Sequence, residues 1–409
     1  MKILIVGQGG REHALAWIAL RSPLVSQVFV IPGNDGMKDV ATTINLKADD
    51  YEGIIRFAVN EKIDLTIIGN EQPLIDGLAD MMIENNILVF GPSKKAAMIE
   101  GSKLFAKQMM KKYNIPTASY QMIHSLEEAE LYLNKQTFPV VIKIDGLAAG
   151  KGVVIAQNYD EAIAAVQSSL SLNQPVLIET FLEGIEFSLI ALVHQNQVYA
   201  FDLAQDYKRA YDFHKGPNTG GMGCYSPVDL IPLDAVKEAM EKIMRPLAEG
   251  LVNEGIPFTG FLYGGLMLTK EGVKVIEFNA RFGDPEAEVI LPRLKSDLIN
   301  EIMNLMQNKP VQLEFINQAC VGVVLASIGY PGHYEKGLPI EISEHPKRIL
   351  FHMGTKKEAN QFVTNGGRVL INVTLGESIE DARNNCYKTL KTIQSESLFH
   401  RNDIGQLKS

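Results

Sequence analysis

Three groups of residues have the types and spacing for chemistry on phosphates and carboxylates. The first is Gly7-Gln8-Gly9-Gly10-Arg11-Glu12-His13. It follows the apolar run KILIV (2–6) and precedes a helical pattern, so its backbone N–H groups and the helix dipole favour an anion. A dinucleotide site is opposed by two details. The third glycine of GxGxxG falls on Glu12, and the second strand ends VIPGN with no acidic residue for a ribose hydroxyl. A phosphate-bearing small substrate suits the same backbone, and glycines that serve only a tight turn are the alternative. The second group is GLAAGKG (146–152). A Walker A loop needs four residues between its glycine and the GK pair, then Ser or Thr, whereas here three intervene and Gly152 follows Lys151. Strand-like runs flank the loop, so no helix N-terminus is on hand and a P-loop kinase is ruled against. A β-hairpin lid over a triphosphate remains, with Lys143 and Lys151 as point charges, alongside the reading of an exposed hairpin with solvated lysines.

The third group is KVIEFN and the turn after it. Glu277 and Asn279, two apart on a strand, share a face, with Arg281 on that face if the strand continues. Two oxygen ligands beside a guanidinium suit magnesium held to a nucleotide phosphate. A solvated strand face gives the same alternation. The Gly-Asp-Pro turn in RFGDPE brings Asp284 and Glu286 toward the same point. His13, His214 and His352 lie far apart without ligand spacing, which leaves a zinc site or a Ser/His/Asp triad without support.

These groups need elements to hold them. Strand runs at 2–6, 28–31, 65–69 and 88–90 alternate with helical patterns at 11–21, 51–59 and 74–85, which predicts a parallel sheet over residues 1 to about 91. Ser93 suits the cap of one long Lys-rich helix that ends before Pro116. PVVIKI and GVVIA are separated only by DGLAAGKG, a connection short enough for antiparallel strands. FLYGGLML and KVIEFN, joined by TKEG, form a second hairpin, and KGPNTGGMGCYSP (215–227) reads as a loop. The last portion, from about 315, has strand runs and a closing helix near 377–395.

Composition narrows the function classes. The 409 residues are 46% hydrophobic and 21% charged, an ordinary globular balance for several domains. Lys plus Arg number 39 against 48 acids, and no basic run marks a nucleic-acid or membrane-headgroup footprint. Three cysteines without a CxxC pair fit a reducing compartment, and no stretch of 18 apolar residues occurs. The expectation is a soluble, cytoplasmic protein.

Taken together, VGQGGREHALAW (6–17), DLTIIGNEQPL (64–74), EGSKLFAK (100–107), DGLAAGKGV (145–153), GPNTGGMGCYSP (216–227) and EFNARFGDPEAEVILPR (277–293) resemble the phosphoribosylamine–glycine ligase family of the ATP-grasp superfamily. The resemblance spans the whole chain, and its last two motifs are the most specific. It implies a multidomain α/β and α+β fold: a Rossmann-like domain at 1–100, an ATP-grasp unit at 101–314 with a lid at about 116–188, and a small α+β domain at 315–409. It implies ATP-dependent joining of glycine to 5-phosphoribosylamine in purine synthesis, with ATP and Mg2+ or Mn2+, and a monomer or weak homo-oligomer. A carboxylate resists attack by an amine until it is phosphorylated, so such a site must bring an acid to a triphosphate and offset the repulsion.

By motif, the resemblance puts Lys103 and Lys143 on the ATP phosphates and Gly146, Gly150, Lys151 and Gly152 in the lid. Glu179, Phe181 and Leu182 fall in the adenine hinge and Glu186 on the ribose, with Glu277 and Asn279 on the metal. Arg281, Lys143 and Asp284 stand nearest the chemistry. Gly9, Gly10 and Arg11 fall at the sugar-phosphate end and Asn218, Thr219, Gly220 and Gly221 at the glycine end, with Glu71 a further substrate-binding residue. Three departures occur. Asn70 replaces a family proline, VIKID replaces a KAD run, and DYKRAYDFHK precedes GPNTG in an unusual spelling that leaves Asp212, His214 and Lys215 unassigned. Gly265 stands where the superfamily often carries another acid, so two protein ligands to the metal are expected. The competing readings are an ATP-grasp ligase for another acid or amine, a nucleotide-binding regulator without catalysis, and a nicotinamide oxidoreductase.

Overall fold

The structure, a computed structural model, describes residues 1–146, 152–171 and 175–406. The first layer is a five-stranded parallel sheet in the order Thr42–Thr43, Gln27–Pro32, Lys2–Gly7, Leu65–Ile68, Val89–Phe90. Ile3 through Val6 are fully buried, as a strand covered on both faces requires. The strand order reverses direction beside Lys2–Gly7, where neighbouring loops part and a crevice opens at the carboxyl ends.

Two expected helices are each broken in two. The 74–85 pattern becomes Glu71–Asp76 and Leu78–Glu84, because Gly77 adopts φ +97°, a left-handed conformation that ends the first helix. Ser93 does cap its helix, accepting from Ala96 N, but that helix ends at Gly101. Ser102 turns extended and caps a second helix, Lys103–Lys112. Asp145 holds the break open, its Oδ1 accepting from the N–H groups of Lys103 at 2.6 Å and Leu104 at 3.3 Å.

The lid sheet runs Tyr120–Ile123, Val176–Thr180, Val140–Ile144, Val153–Ala156, antiparallel throughout. Two helices, Leu126–Leu133 and Tyr159–Leu170, cover it around its own small core, which includes Ile142, Val166 and Ile178. A second antiparallel sheet contains Ile185–His194, Thr259–Thr269 and Gly272–Asn279. The region read as a loop at 215–227 carries two short strands, Lys215–Asn218 and Gly223–Ser226. Gly223–Ser226 pairs with Ala319–Ser327, which pairs in turn with Arg368–Gly376. One sheet thus crosses from the central part of the chain into the C-terminal part. The closing helix is Ile379–Leu390, shorter than expected. The C-terminal part also touches the first layer: His352 N donates to His13 Nδ1 at 2.9 Å, and Lys357 N to Asp35 Oδ2 at 2.9 Å. Among the described residues no helix is long and apolar enough to cross a membrane.

Candidate active site

The crevice at the end of Lys2–Gly7 is filled by Glu12, which is fully buried. Its Oε2 accepts from Gly9 N at 2.6 Å and its Oε1 from Arg11 Nε at 2.7 Å. A Cβ on Gly7 would lie 2.5 Å from Glu12 Cδ, and one on Gly69 2.2 Å from its Oε1. These glycines therefore make room for the carboxylate. Arg11 spends its other two nitrogens on the Phe282 carbonyl (3.1 Å) and Asn70 Oδ1 (2.8 Å). Asn70, the departure from proline, is thus the partner of a buried guanidinium.

Glu71 lies between two arginines, its Oε2 3.4 Å from Arg281 Nε and 3.9 Å from Arg11 Nη2. Burial opposes ionisation of Glu71, but Arg281 and then Arg11 outweigh it and hold its carboxyl down at about 2. Arg281 also meets Glu100 at 2.9 Å, whose other oxygen accepts from Ala280 N at 2.7 Å. Burial pushes the Glu100 carboxyl up despite that partner. Arg281 is therefore clamped by acids from two helices, just beyond the strand that carries Glu277 and Asn279.

Three lysines line the other end. Lys107 and Lys143 reach the two oxygens of Glu179 at 3.0 and 2.9 Å, and all three are buried. Lys143 also donates to the Ile276 carbonyl at 2.9 Å, and Lys103 to the Gly146 carbonyl at 2.7 Å. The Glu179 side chain is thus committed to the two lysines, while Thr180, Phe181 and Leu182 line the cleft beside it. Burial lowers the Lys103 and Lys107 ammoniums despite the acids beside them.

Glu277 and Asn279 lie opposite Gly265 and Tyr263 on the neighbouring strand and both line the cleft. Burial works against the Glu277 charge, yet Lys208, Lys143, Arg281 and Lys103 keep its carboxyl below the ordinary range. An ionised carboxylate beside an amide oxygen fits a hard cation. Among the described residues no cluster of three or more His, Cys, Asp or Glu side chains suits a metal, so phosphates and water would complete the shell.

Several cleft residues had no motif to announce them. Lys208 is paired with Glu186, and the ammonium is pushed well up because Glu186 and Asp206 outweigh its burial. Asp206 is pushed up to about 8 by burial, with Lys208 opposing and Glu286, Glu186 and Glu277 adding to the rise. Arg368 Nη1 meets Asp284 Oδ1 at 2.9 Å, and Asp284 Oδ2 lies 3.4 Å from Arg11 N. Thr219 Oγ1 donates to the Lys208 carbonyl at 2.8 Å and accepts from Gly221 N at 3.0 Å, which folds the GPNTGG turn onto the Asp206–Lys208 segment. Of the unassigned residues, Asp212 accepts from Asn402 N and Nδ2 at 2.7 and 2.9 Å, and His214 stacks on Tyr207. Lys215 is exposed on its strand, opposite Tyr211.

These groups share one cleft of about 1720 Å³. That exceeds the roughly 300–1,000 Å³ of a single-ligand pocket, so more than one substrate fits. Gly9, Arg11, Glu71, Lys103, Lys143, Gly146, Gly152, Glu179, Phe181, Leu182, Glu186, Asn218, Thr219, Gly220, Glu277, Asn279, Arg281 and Asp284 all line it. Gly10 and Gly221 are buried behind that wall, and Gly150 and Lys151 lie outside the described residues.

Comparison with known proteins agrees along the whole chain. Residues 1–100, 101–287 and 320–407 match the N, ATP-grasp (A) and C domains of phosphoribosylglycinamide synthetase. A phosphoribosylamine–glycine ligase of Halalkalibacterium halodurans is 50% identical over 99% of this chain and 96% of its own. That of Lactococcus lactis is 46% identical over 99% of both. The crystal structure of the Thermotoga maritima phosphoribosylamine–glycine ligase superposes with a TM-score of 0.87 at 34% identity, over 98% of this chain and all of that one. A biotin carboxylase domain from Hydrogenobacter thermophilus, solved with MgADP, shares the fold at 16% identity and a TM-score of 0.75, over 98% and 91%. The chain belongs to the phosphoribosylglycinamide synthetase family.

Proposed function

We propose that this carbon–nitrogen ligase joins glycine to 5-phosphoribosylamine in purine biosynthesis, through glycyl phosphate. A glycine carboxylate oxygen attacks the γ-phosphorus of ATP and ADP leaves. The amine nitrogen then attacks the acyl carbon, the C–O bond to phosphate breaks, and the nitrogen loses a proton. The observation that carries this reading is the single cleft joining the lysines Lys103 and Lys143, the oxygen pair Glu277 and Asn279, and the Arg281–Glu71–Arg11 clamp.

In this scheme Lys103 and Lys143 hold the ATP phosphates, with Gly146 and Gly152 belonging to the lid. The backbone of Glu179, Phe181 and Leu182 reads adenine and Glu186 the ribose. Glu277 and Asn279 would hold Mg2+ or Mn2+, which would offset phosphate charge when bound. Arg281 stabilises the transferring phosphoryl group, its position fixed before the reaction by Glu71 and Glu100. Asp284 and the 218–221 turn meet glycine, and the Gly9–Arg11 turn meets the sugar phosphate. We divide the chain at 1–100, 101–314 and 315–409, with a lid at about 116–188, and read it as a monomer or weak homo-oligomer. Three free, buried thiols, Cys224, Cys320 and Cys386, suit the cytoplasm.

The test is ADP release from Mg-ATP and glycine, with and without phosphoribosylamine generated in the assay, and with alanine or serine replacing glycine. Release that needs both glycine and phosphoribosylamine is the expected result. Release with a different acid or amine keeps the ATP chemistry and discards the substrates, and no release under any pairing returns the chain to a regulator.

A further inference from the structure

The motif at 9–11 points to Arg11 as the cation at the sugar-phosphate end, yet that guanidinium is 6% exposed and all three of its nitrogens are engaged. Arg368 differs in each respect. It starts the strand Arg368–Gly376 in the C-terminal part, lines the cleft, and keeps its side chain 19% exposed. Its contacts leave from one nitrogen: Nη1 lies 2.7 Å from the Gly220 carbonyl, 2.9 Å from the Asp284 carbonyl and 2.9 Å from Asp284 Oδ1. Nε and Nη2 have no acceptor among the described residues. A guanidinium held at one corner presents its other edge as a two-donor fork, which matches an oxyanion in shape and charge. The fork is fixed in place. A Cβ on Gly220 would lie 3.0 Å from Arg368 Cζ, and Gly220 N donates to Tyr330 Oη at 3.1 Å, so the turn beneath the guanidinium is gripped on both sides.

We propose that Arg368 binds the 5-phosphate monoester of the amine substrate, the role the sequence suggested for Arg11. This rests on the ligase reading above. The Asp284 carboxylate occupies the Nη1 corner, away from the Nε–Nη2 edge, and its other oxygen turns to Arg11 N, so it orients the fork and leaves the oxyanion side clear. The C-terminal part thereby supplies the guanidinium contact that Arg11, whose three nitrogens are engaged, does not, while the backbone of the Gly9–Arg11 turn keeps its place at the same end.

The experiment measures calorimetric binding of glycinamide ribonucleotide and of its dephosphorylated nucleoside to the full-length protein, Arg368→Gln and Tyr330→Phe, alongside KM for each substrate. The wild type is expected to prefer the phosphorylated compound. Arg368→Gln should lose at least about tenfold of that preference, with a similar rise in KM for phosphoribosylamine, the loss expected for one charge-assisted pair. KM for ATP should stay near the wild-type value, and KM for glycine should rise less than KM for phosphoribosylamine, because Arg368 also holds Gly220 and Asp284. Should Arg368→Gln fail to fold, Arg368→Lys, which keeps the charge and lacks the fork, should lose preference in the same direction. Undiminished preference in a folded Arg368 variant overturns the proposal, as does an equal loss in Tyr330→Phe, which loosens the turn without touching the charge. A rise in KM for glycine alone reassigns Arg368 to the acid and overturns it too. A wild type that binds neither compound brings down the ligase reading and this proposal with it.

Discussion

At the residue scale, the charges in the cleft are arranged so that acids hold cations in place. Glu277 makes no ion pair among the described residues, although Lys208, Lys143, Arg281 and Lys103 together hold its carboxyl below the ordinary range. Replacing it by Gln removes that charge, and ADP release should fall on the order of 10²- to 10³-fold, comparable to losing a strong electrostatic contact. Near-normal turnover with magnesium would take Glu277 out of the metal role. Glu71 gives a pH signature. Its carboxyl sits at about 2 when folded, against an ordinary value of 4.5, so its stabilising contribution is present above pH 4.5 and lost as the pH falls toward 2. The side chain is 34% exposed, so solvent screens part of this. Thermal melts between those pH values should decline more steeply for the wild type than for Glu71→Gln; parallel declines would place its ionisation elsewhere. Period-two spacing made Glu277 and Asn279 legible in the sequence. Asp206 and Lys208 were not, because they sit on a two-residue strand and the turn after it, where no periodicity declares a face.

At the element scale, the break at Ser102 shows how a distant residue overrides a local pattern. Read alone, residues 93–115 favour one helix. Asp145, more than forty positions away, takes the N–H groups of Lys103 and Leu104 and starts a new one. That cap also aims Lys103 into the cleft. Asp145→Ala should cost about 1 kcal/mol of stability, a typical loss of a helix cap, and should raise KM for ATP more than KM for glycine. A variant whose substrate KM values rise together would show that the cap does not aim the lysine. The parallel sheet and both hairpins were legible because continuous apolar runs and short connections leave few alternatives. The GPNTGG turn was not, since one of its strands, Gly223–Ser226, depends on a partner in the C-terminal part. Gly221 takes φ +114°, and a Cβ there would lie 2.5 Å from Pro285 Cδ. Gly221→Ala should therefore lower kcat/KM by disturbing the Asp284–Pro285 turn, and unchanged kinetics would show that the turn can give.

At the scale of the whole molecule, the first and last parts meet through a buried histidine pair. His13 is pushed down to about 3 by burial and by His352, and His352 to about 4 by burial and Arg348. Unfolded histidines take protons below about pH 6.5, so this contact stabilises fully above that pH and progressively less as the pH falls toward 4 and then 3. His13→Gln should flatten the dependence of melting temperature on pH in the 4–6.5 range; an unchanged slope would locate acid sensitivity elsewhere. Arg368 belongs to this scale as well. It touches Gly220 and Asp284 across gaps of 148 and 84 residues, a distance over which no local signal carries.

The sheet that crosses into the C-terminal part also sets an order of events during synthesis. Gly223–Ser226 leaves the ribosome long before Ala319–Ser327, which must itself wait for Arg368–Gly376. The nascent chain therefore carries one unpaired edge of that strand, whose other edge already meets Gln205–Asp206, while residues 227–318 are made, and closing it requires contacts of high sequence separation. Vectorial folding stalls there: the lid, with its own core, can mature early, while the substrate end is completed only when nearly the whole polypeptide has emerged.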